Sequence, residues 1–359
     1  MPWLPSIERV PGGRAFASLS RRVRTLVIAS VLFVALFALL LTMPVPYVIL
    51  SPGPTFNTIG IERGSQVIVI EGRKPNQTSG HLNMTTVSIS NGSVTAAEAL
   101  SAWLKHDEVV VPRSAVYPPG ETERQVNEKN TEDFQQSQDS ATAAALCELG
   151  YPKGFGILQV SPDGPSHGIL EPGDFIVSVD GQEADTADKL TNVLSAETPG
   201  KVVTVTVTRK DKPAHLEVKL GPPLKGRTGA SLGIVVTTGC LAPFSVTIHL
   251  SDIGGPSAGL MFALGIIDKV GSEDLTGGRF IAGTGTIDAS GKVGVIGGIQ
   301  LKMIAARDHG ASVFLAPAGN CSDVRGATPS GLRVVNVSTL HDAVQDLLKI
   351  EHHEPVPSC

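Results

Sequence analysis

Gly254-Gly255-Pro256-Ser257-Ala258-Gly259, Gly283-Thr284-Gly285-Thr286-Ile287 and Gly297-Gly298-Ile299-Gln300-Leu301-Lys302 are the three short stretches on which the reading of this chain turns. The first sets a serine in a glycine-rich turn where a helix over Ser257–Val270 is predicted to start, with Pro256 at a favoured opening position. A free serine hydroxyl is a poor nucleophile and needs an adjacent base. Gly254, Gly255 and Gly259 let a substrate approach the backbone closely. The unpaired N–H groups and positive end of a helix suit a developing oxyanion, for which one donor is worth about 3–4 kcal/mol. Lys302 opens a later amphipathic helix and is the candidate base. It must then lose its proton well below the usual lysine range, and burial against Ile299, Leu301, Met303 and Ile304 acts in that direction. Taken singly, Ser257 reads equally as a helix cap and Lys302 as a solvated lysine.

Outward from this pattern, the N-terminal side changes the class of the molecule. Leu26–Met43 carries no charge and can nearly cross a bilayer core of about 30 Å. Arg21, Arg22 and Arg24 stand just before it, with Arg9 and Arg14 further upstream, and no Lys or Arg follows until Arg63. The positive-inside rule puts a tail at 1–24 in the cytoplasm and everything beyond a 25–43 span outside. A cleaved signal peptide is the alternative, but it would have a shorter apolar run and a small-x-small cleavage site. Aromatic content of 4% and a net charge of −5 argue against a nucleic-acid surface. Cys147, Cys240, Cys321 and Cys359 have no zinc-ligand spacing. An extracytoplasmic site permits disulfides, and sequence leaves both their pairing and four free thiols open.

Residues 44–151 show strand candidates at Gln66–Ile70 and Leu82–Ser90, a helix over Val94–Lys105, and a polar stretch, Glu121–Asp139, that reads as a solvated helix or an exposed loop. Ser140–Leu149 continues as a helix of small residues. This region is assigned no chemistry, and it either forms its own core or packs on a later domain. From 152 to 223 the chain is β-rich. Val203, Val205 and Val207 alternate with polar residues, Asp180-Gly181 fits a hairpin turn, and Asp185 can cap a helix from Thr186 to Leu194. The run Gly156–Gln182, with Leu170-Glu171-Pro172-Gly173-Asp174 and Asp180-Gly181 in it, resembles a PDZ domain of the bacterial type. That resemblance implies capture of an extended peptide as an added strand. It also points to Lys153-Gly154-Phe155-Gly156 as the carboxylate-cradling loop.

A Gly/Pro/Lys-rich linker leads to the last domain, 230–351, in which helices alternate with strands. Its three stretches together, with Ala305-Ala306-Arg307 after the lysine, resemble the proteolytic domain of Lon peptidases. The resemblance implies that Ser257 attacks, that Lys302 is the general base and that Thr284 is an orienting hydroxyl; Gly254 and Gly255, from the turn itself, are the candidates for the oxyanion and substrate-backbone contacts. The implied fold class is α+β: an N-terminal transmembrane helix, a PDZ-like domain and a C-terminal mixed α/β Lon-type proteolytic domain. Lon peptidases carry an aspartate three residues before the nucleophile, and Gly254 stands there instead. No GxxxxGK[ST] phosphate loop, HExxH pair or Cys/His cluster is visible. An ATP-independent serine endopeptidase is therefore expected, acting on peptides or unfolded proteins without metal, nucleotide or other cofactor. Lon domains often form hexamers, and the resemblance extends that expectation to this chain as a homo-oligomer.

Two other readings compete. One is a membrane-tethered PDZ adaptor without catalysis. The other is an α/β-hydrolase esterase, since Gly255-x-Ser257-x-Gly259 also fits a nucleophile elbow with Asp323 and His341 as partners. The elbow leaves Lys302 and the β-rich unit without a role.

Overall fold

The computed structural model describes residues 20–90, 92–226, 228–250 and 253–359. The expected tail, with Arg9 and Arg14, lies outside the described residues up to position 19. The chain divides into two compact units, 1–50 with 89–118 and 51–88 with 119–359.

In the first unit, helix α1 (Arg21–Thr42) starts with the Ser20 hydroxyl capping the Val23 N–H and buries none of its side chains. Among the described residues it is the one helix long and apolar enough to cross a membrane. Pro44 and Val45 then pair with Thr95 and Val94. Helix α2 (Ala96–Leu104) opens with a capping box, Thr95 and Glu98 satisfying each other's backbone donors. Tyr47, Val48, Ile49 and Leu50 pair with Pro112, Val111, Val110 and Val109.

The second unit contains four further long helices: α3 (Glu123–Glu148), α4 (Ala187–Ala196), α5 (Gly259–Val270) and α6 (Ile299–Asp308), followed by the C-terminal helix Leu340–Glu351. A sheet runs Arg333–Val337, Val313–Pro317, Phe280–Gly283, His81–Ile89, with these neighbours parallel. Parallel strands are covered on both faces, which is why Val313-Phe314-Leu315-Ala316 is apolar without alternation. Val313 and Leu315 join the core that contains α5; Phe314 and Ala316 join Ile299, Met303 and Ala306 of α6. Every residue of α5 is buried. Helix α3 packs on it, with Phe134 edge-on to Phe262. The stretch read as a solvated helix or loop and the small-residue run after it thus form one continuous helix with a buried face.

The β-rich unit is an antiparallel sheet in the order Lys212–Lys219, Val202–Arg209, Phe175–Val179, Lys153–Val160, Ile234–Cys240. Its core holds Ile157, Ile176, Val203, Val205, Val207 and Leu190 of α4. Thr186, not Asp185, caps α4; Asp185 pairs with Lys189 instead. Thr339 caps the last helix with a capping box to Asp342. Gly154, Phe155 and Gly156 correct a further expectation. They lie inside the strand Lys153–Val160, paired with Gly239, Thr238 and Thr237, so they form no cradle. Their glycines serve close packing: a Cβ at Gly154 would fall 2.5 Å from the Phe175 ring, and one at Gly156 2.2 Å from the Asp174 carbonyl oxygen. The cysteines pair as Cys147–Cys240 and Cys321–Cys359.

Candidate active site

Ser257 precedes α5 instead of opening it. The cap position is Ala258, and Ser257 sits in the turn before it. Gly255 has φ +86, a conformation costly for any other residue type, and it turns the chain so that the serine is half-buried at the helix start. Two donors fix the Ser257 carbonyl, the Gly285 N–H at 2.9 Å and the Thr284 hydroxyl at 3.0 Å. Both donors follow directly on the strand Phe280–Gly283, so the parallel sheet sets the height of the Ser257 turn.

Lys302 is the fourth residue of α6 and is 3% exposed. Its Nζ lies 2.7 Å from Ser257 Oγ and 3.0 Å from Thr284 Oγ1. Thr284 is fully buried and already donates its proton to the Ser257 carbonyl, so its oxygen is left to accept from the amine. Burial alone lowers the Lys302 pKa from 10.5 to about 8. The cause is desolvation, which disfavours the charged ammonium. An amine of that kind, in hydrogen-bond reach of a hydroxyl open to substrate, can accept the hydroxyl's proton.

Helix α3 supplies parts of the site that sequence reasoning missed. The Asn130 carbonyl accepts from the Gly255 N–H at 2.8 Å, and the buried Ser137 hydroxyl donates to the Pro256 carbonyl at 2.9 Å. The expected oxyanion role of Gly255 is corrected by the first bond, because its N–H is already engaged. Neither Asn130 nor Ser137 belongs to a motif. The only sequence signal was the spacing of Phe134, Ser137, Ala141 and Ala144 along a buried helical face. The hydrolase partners do not converge on the serine: His341 Nδ1 meets Glu148 Oε1 at 2.7 Å, and the Asp323 carboxylate faces Asn320.

A cavity of about 190 Å³ lies between α4 and the segment entering the strand Ile234–Cys240, lined by Leu190, Leu194, Ala230, Leu232, Ile234 and Val236. Among the described residues that strand is the edge of its sheet, with only Lys153–Val160 beside it. An extended peptide can add there, next to a helix and an apolar floor.

Residues 126–220 match the PDZ domain family, and residues 244–350 match the Lon protease (S16) C-terminal proteolytic domain. The chain combines a PDZ domain with a Lon-type serine peptidase domain. The PDZ match begins well before the expected 152 and takes in most of α3. Lon protease 2 of Bacillus subtilis (strain 168) is 29% identical over 129 residues, which are 34% of this chain. The chain spans 23% of the length of that relative. The PDZ domain of an SdrC-like protein from Listeria innocua is 28% identical over 23% of this chain and 92% of that structure, with a TM-score of 0.22. A solved protein from Geobacillus thermodenitrificans is 31% identical over 23% of this chain and 95% of its own, with a TM-score of 0.21.

Proposed function

We propose that the protein is an ATP-independent serine endopeptidase in which Ser257 and Lys302 form the catalytic pair. The observation that carries the reading is the 2.7 Å contact of a buried, deprotonation-prone amine with a half-buried hydroxyl. Neutral Lys302 takes the Ser257 proton as Oγ bonds to the scissile carbonyl carbon, whose π electrons move to oxygen. The resulting ammonium passes that proton to the leaving amine nitrogen as the C–N bond breaks. Water then repeats the sequence on the acyl-enzyme, returning Ser257 and Lys302 to their starting states. Thr284 holds the amine in line by accepting its hydrogen bond while donating to the Ser257 carbonyl. Gly254 and the first turn of α5 face the developing oxyanion.

The PDZ groove beside α4 captures an extended segment of a peptide or unfolded protein for cleavage. Helix α1 anchors the chain in a membrane with the N-terminal arginines in the cytoplasm and both folded domains outside; two disulfides support an oxidising compartment. The active form is a homo-oligomer, a hexamer by likeness to Lon domains.

The test uses the full chain in native membranes with a serine-reactive probe and a fluorogenic peptide. Wild type labels and cleaves, Ser257→Ala does neither, and both bind peptide equally. Equal labelling of wild type and Ser257→Ala, or no cleavage by either, would leave the adaptor reading standing instead. A protease-accessible tag after the last residue, in intact cells, tests the orientation.

A further inference from the structure

Helix α2 exposes an apolar stripe that none of the described residues of its own unit covers. Leu100, Trp103 and Leu104 are 53%, 72% and 67% exposed. They stand at i, i+3 and i+4 and so share one helix face. Ala102, on the opposite side, is buried. The helix is not free to sit anywhere. Its first N–H, from Ala96, donates to the carbonyl of Met43 at 3.0 Å, at the residue that ends α1. The pairing of Pro44 and Val45 with Thr95 and Val94 repeats this tie one step further along. Helix α2 therefore begins at the level where α1 ends. Met43 and Tyr47, themselves exposed, continue the apolar surface there.

We infer that α2 is an interfacial helix whose Leu100–Trp103–Leu104 face lies in the boundary layer of the same bilayer that α1 spans. The inference rests on the reading of α1 as a membrane span. Tryptophan and tyrosine favour this layer, where a ring has an apolar body in the acyl region and a polar edge in water. A short amphipathic helix with such a face lies in the plane of the interface. Lys105, paired with Glu108 directly after the apolar stripe, keeps the next turn polar. The consequence is that the unit is held at two places, one crossing the membrane and one lying on it, which fixes its tilt and its height above the lipid.

The sequence contains two tryptophans, so Trp3→Phe leaves Trp103 as a sole reporter in the full chain. The protein is placed in phosphatidylcholine–phosphatidylglycerol vesicles, with or without bromine on the upper acyl chain. The inference expects a carbonate-resistant protein whose Trp103 emission is lost in brominated vesicles and is protected from acrylamide. Adding Leu100→Ser and Leu104→Ser, both at exposed positions, should reverse that protection while carbonate resistance remains. A carbonate-resistant protein whose Trp103 is quenched by acrylamide and not by bromine overturns the inference and leaves the anchor intact. Shielding from both quenchers would show a protein partner on this face and also overturns it. Carbonate extraction would remove the anchor reading, and the inference with it.

Discussion

Replacing Lys302 with methionine separates two consequences of one buried amine. The wild-type site is 3% exposed, and burial brings the amine's pKa from 10.5 down to about 8. Carrying a proton there at pH 7 costs the folded state about 3 kcal/mol relative to an unfolded chain in which the same amine is hydrated. Methionine is of similar length and uncharged, so Lys302→Met removes that cost. It also deprives Ser257 and Thr284 of bonds at 2.7 and 3.0 Å. Each loss offsets the gain by about 1 kcal/mol. At pH 7 the variant should be about 1 kcal/mol more stable than wild type and catalytically dead. The sign changes with pH. A lysine whose folded-state pKa is depressed binds fewer protons folded than unfolded between about pH 8 and 10.5, so wild-type stability rises through that window. The variant has no such group, and at pH 10, where about 1 kcal/mol of the wild-type cost remains, it should be about 1 kcal/mol the less stable of the two. Urea unfolding of both full-length proteins in detergent at the two pH values gives the difference directly, with other titrating groups cancelling. A difference independent of pH would refute a neutralised buried amine. Cleavage by Lys302→Met at the wild-type rate would refute its role as base.

The remaining expectations follow from neighbouring groups. Peptide cleavage at saturating substrate should rise with pH and level off above about 8, because the base must be uncharged; a flat profile from pH 6 to 9 counts against Lys302. Ser137→Ala removes the clamp on the Pro256 carbonyl and should lower kcat roughly tenfold, an effect of about 1.4 kcal/mol, with KM and circular dichroism unchanged. Asp268 is buried, one of its oxygens has no hydrogen-bond partner among the described residues, and its pKa is raised to about 7. A carboxyl raised in the folded state binds more protons folded than unfolded, so stability is lost as pH rises from 4 to 7. Asp268→Asn should therefore stabilise at pH 8 by at most about 4 kcal/mol and have little effect at pH 4, measured by denaturant unfolding.

What was legible in the sequence was local. The serine turn, the Thr284 segment and the start of the lysine helix are short runs whose glycines and spacing carry their own meaning, and the alternating valines of Val203–Val207 declare a half-buried strand. Helix α3 was illegible because its buried face is mostly serine, alanine and threonine, with Val126, Phe134 and Leu146 widely spaced along it, a pattern too weak to stand out among its charges. Its contribution comes from backbone and hydroxyl contacts to residues more than a hundred positions away, which no periodicity reports. The peptide loop was misplaced for a related reason. Gly154 and Gly156 look like turn residues, but they are small because Phe175 and Leu241 press on them from across the sheet. The segment that does enter the groove, Leu232-Gly233-Ile234, reads as ordinary strand sequence.

Cys147 lies one residue before the end of α3, and Cys240 ends the strand that borders the peptide groove. The same rod that grips the Ser257 turn through Asn130 and Ser137 is thus welded, at its far end, to the wall against which a captured chain would lie. An α-helix resists bending because its own hydrogen bonds would have to stretch, so a tug on one end arrives at the other. On the proposed function, reductant would then do more than loosen the fold: it would weaken the link between holding a peptide and cutting it.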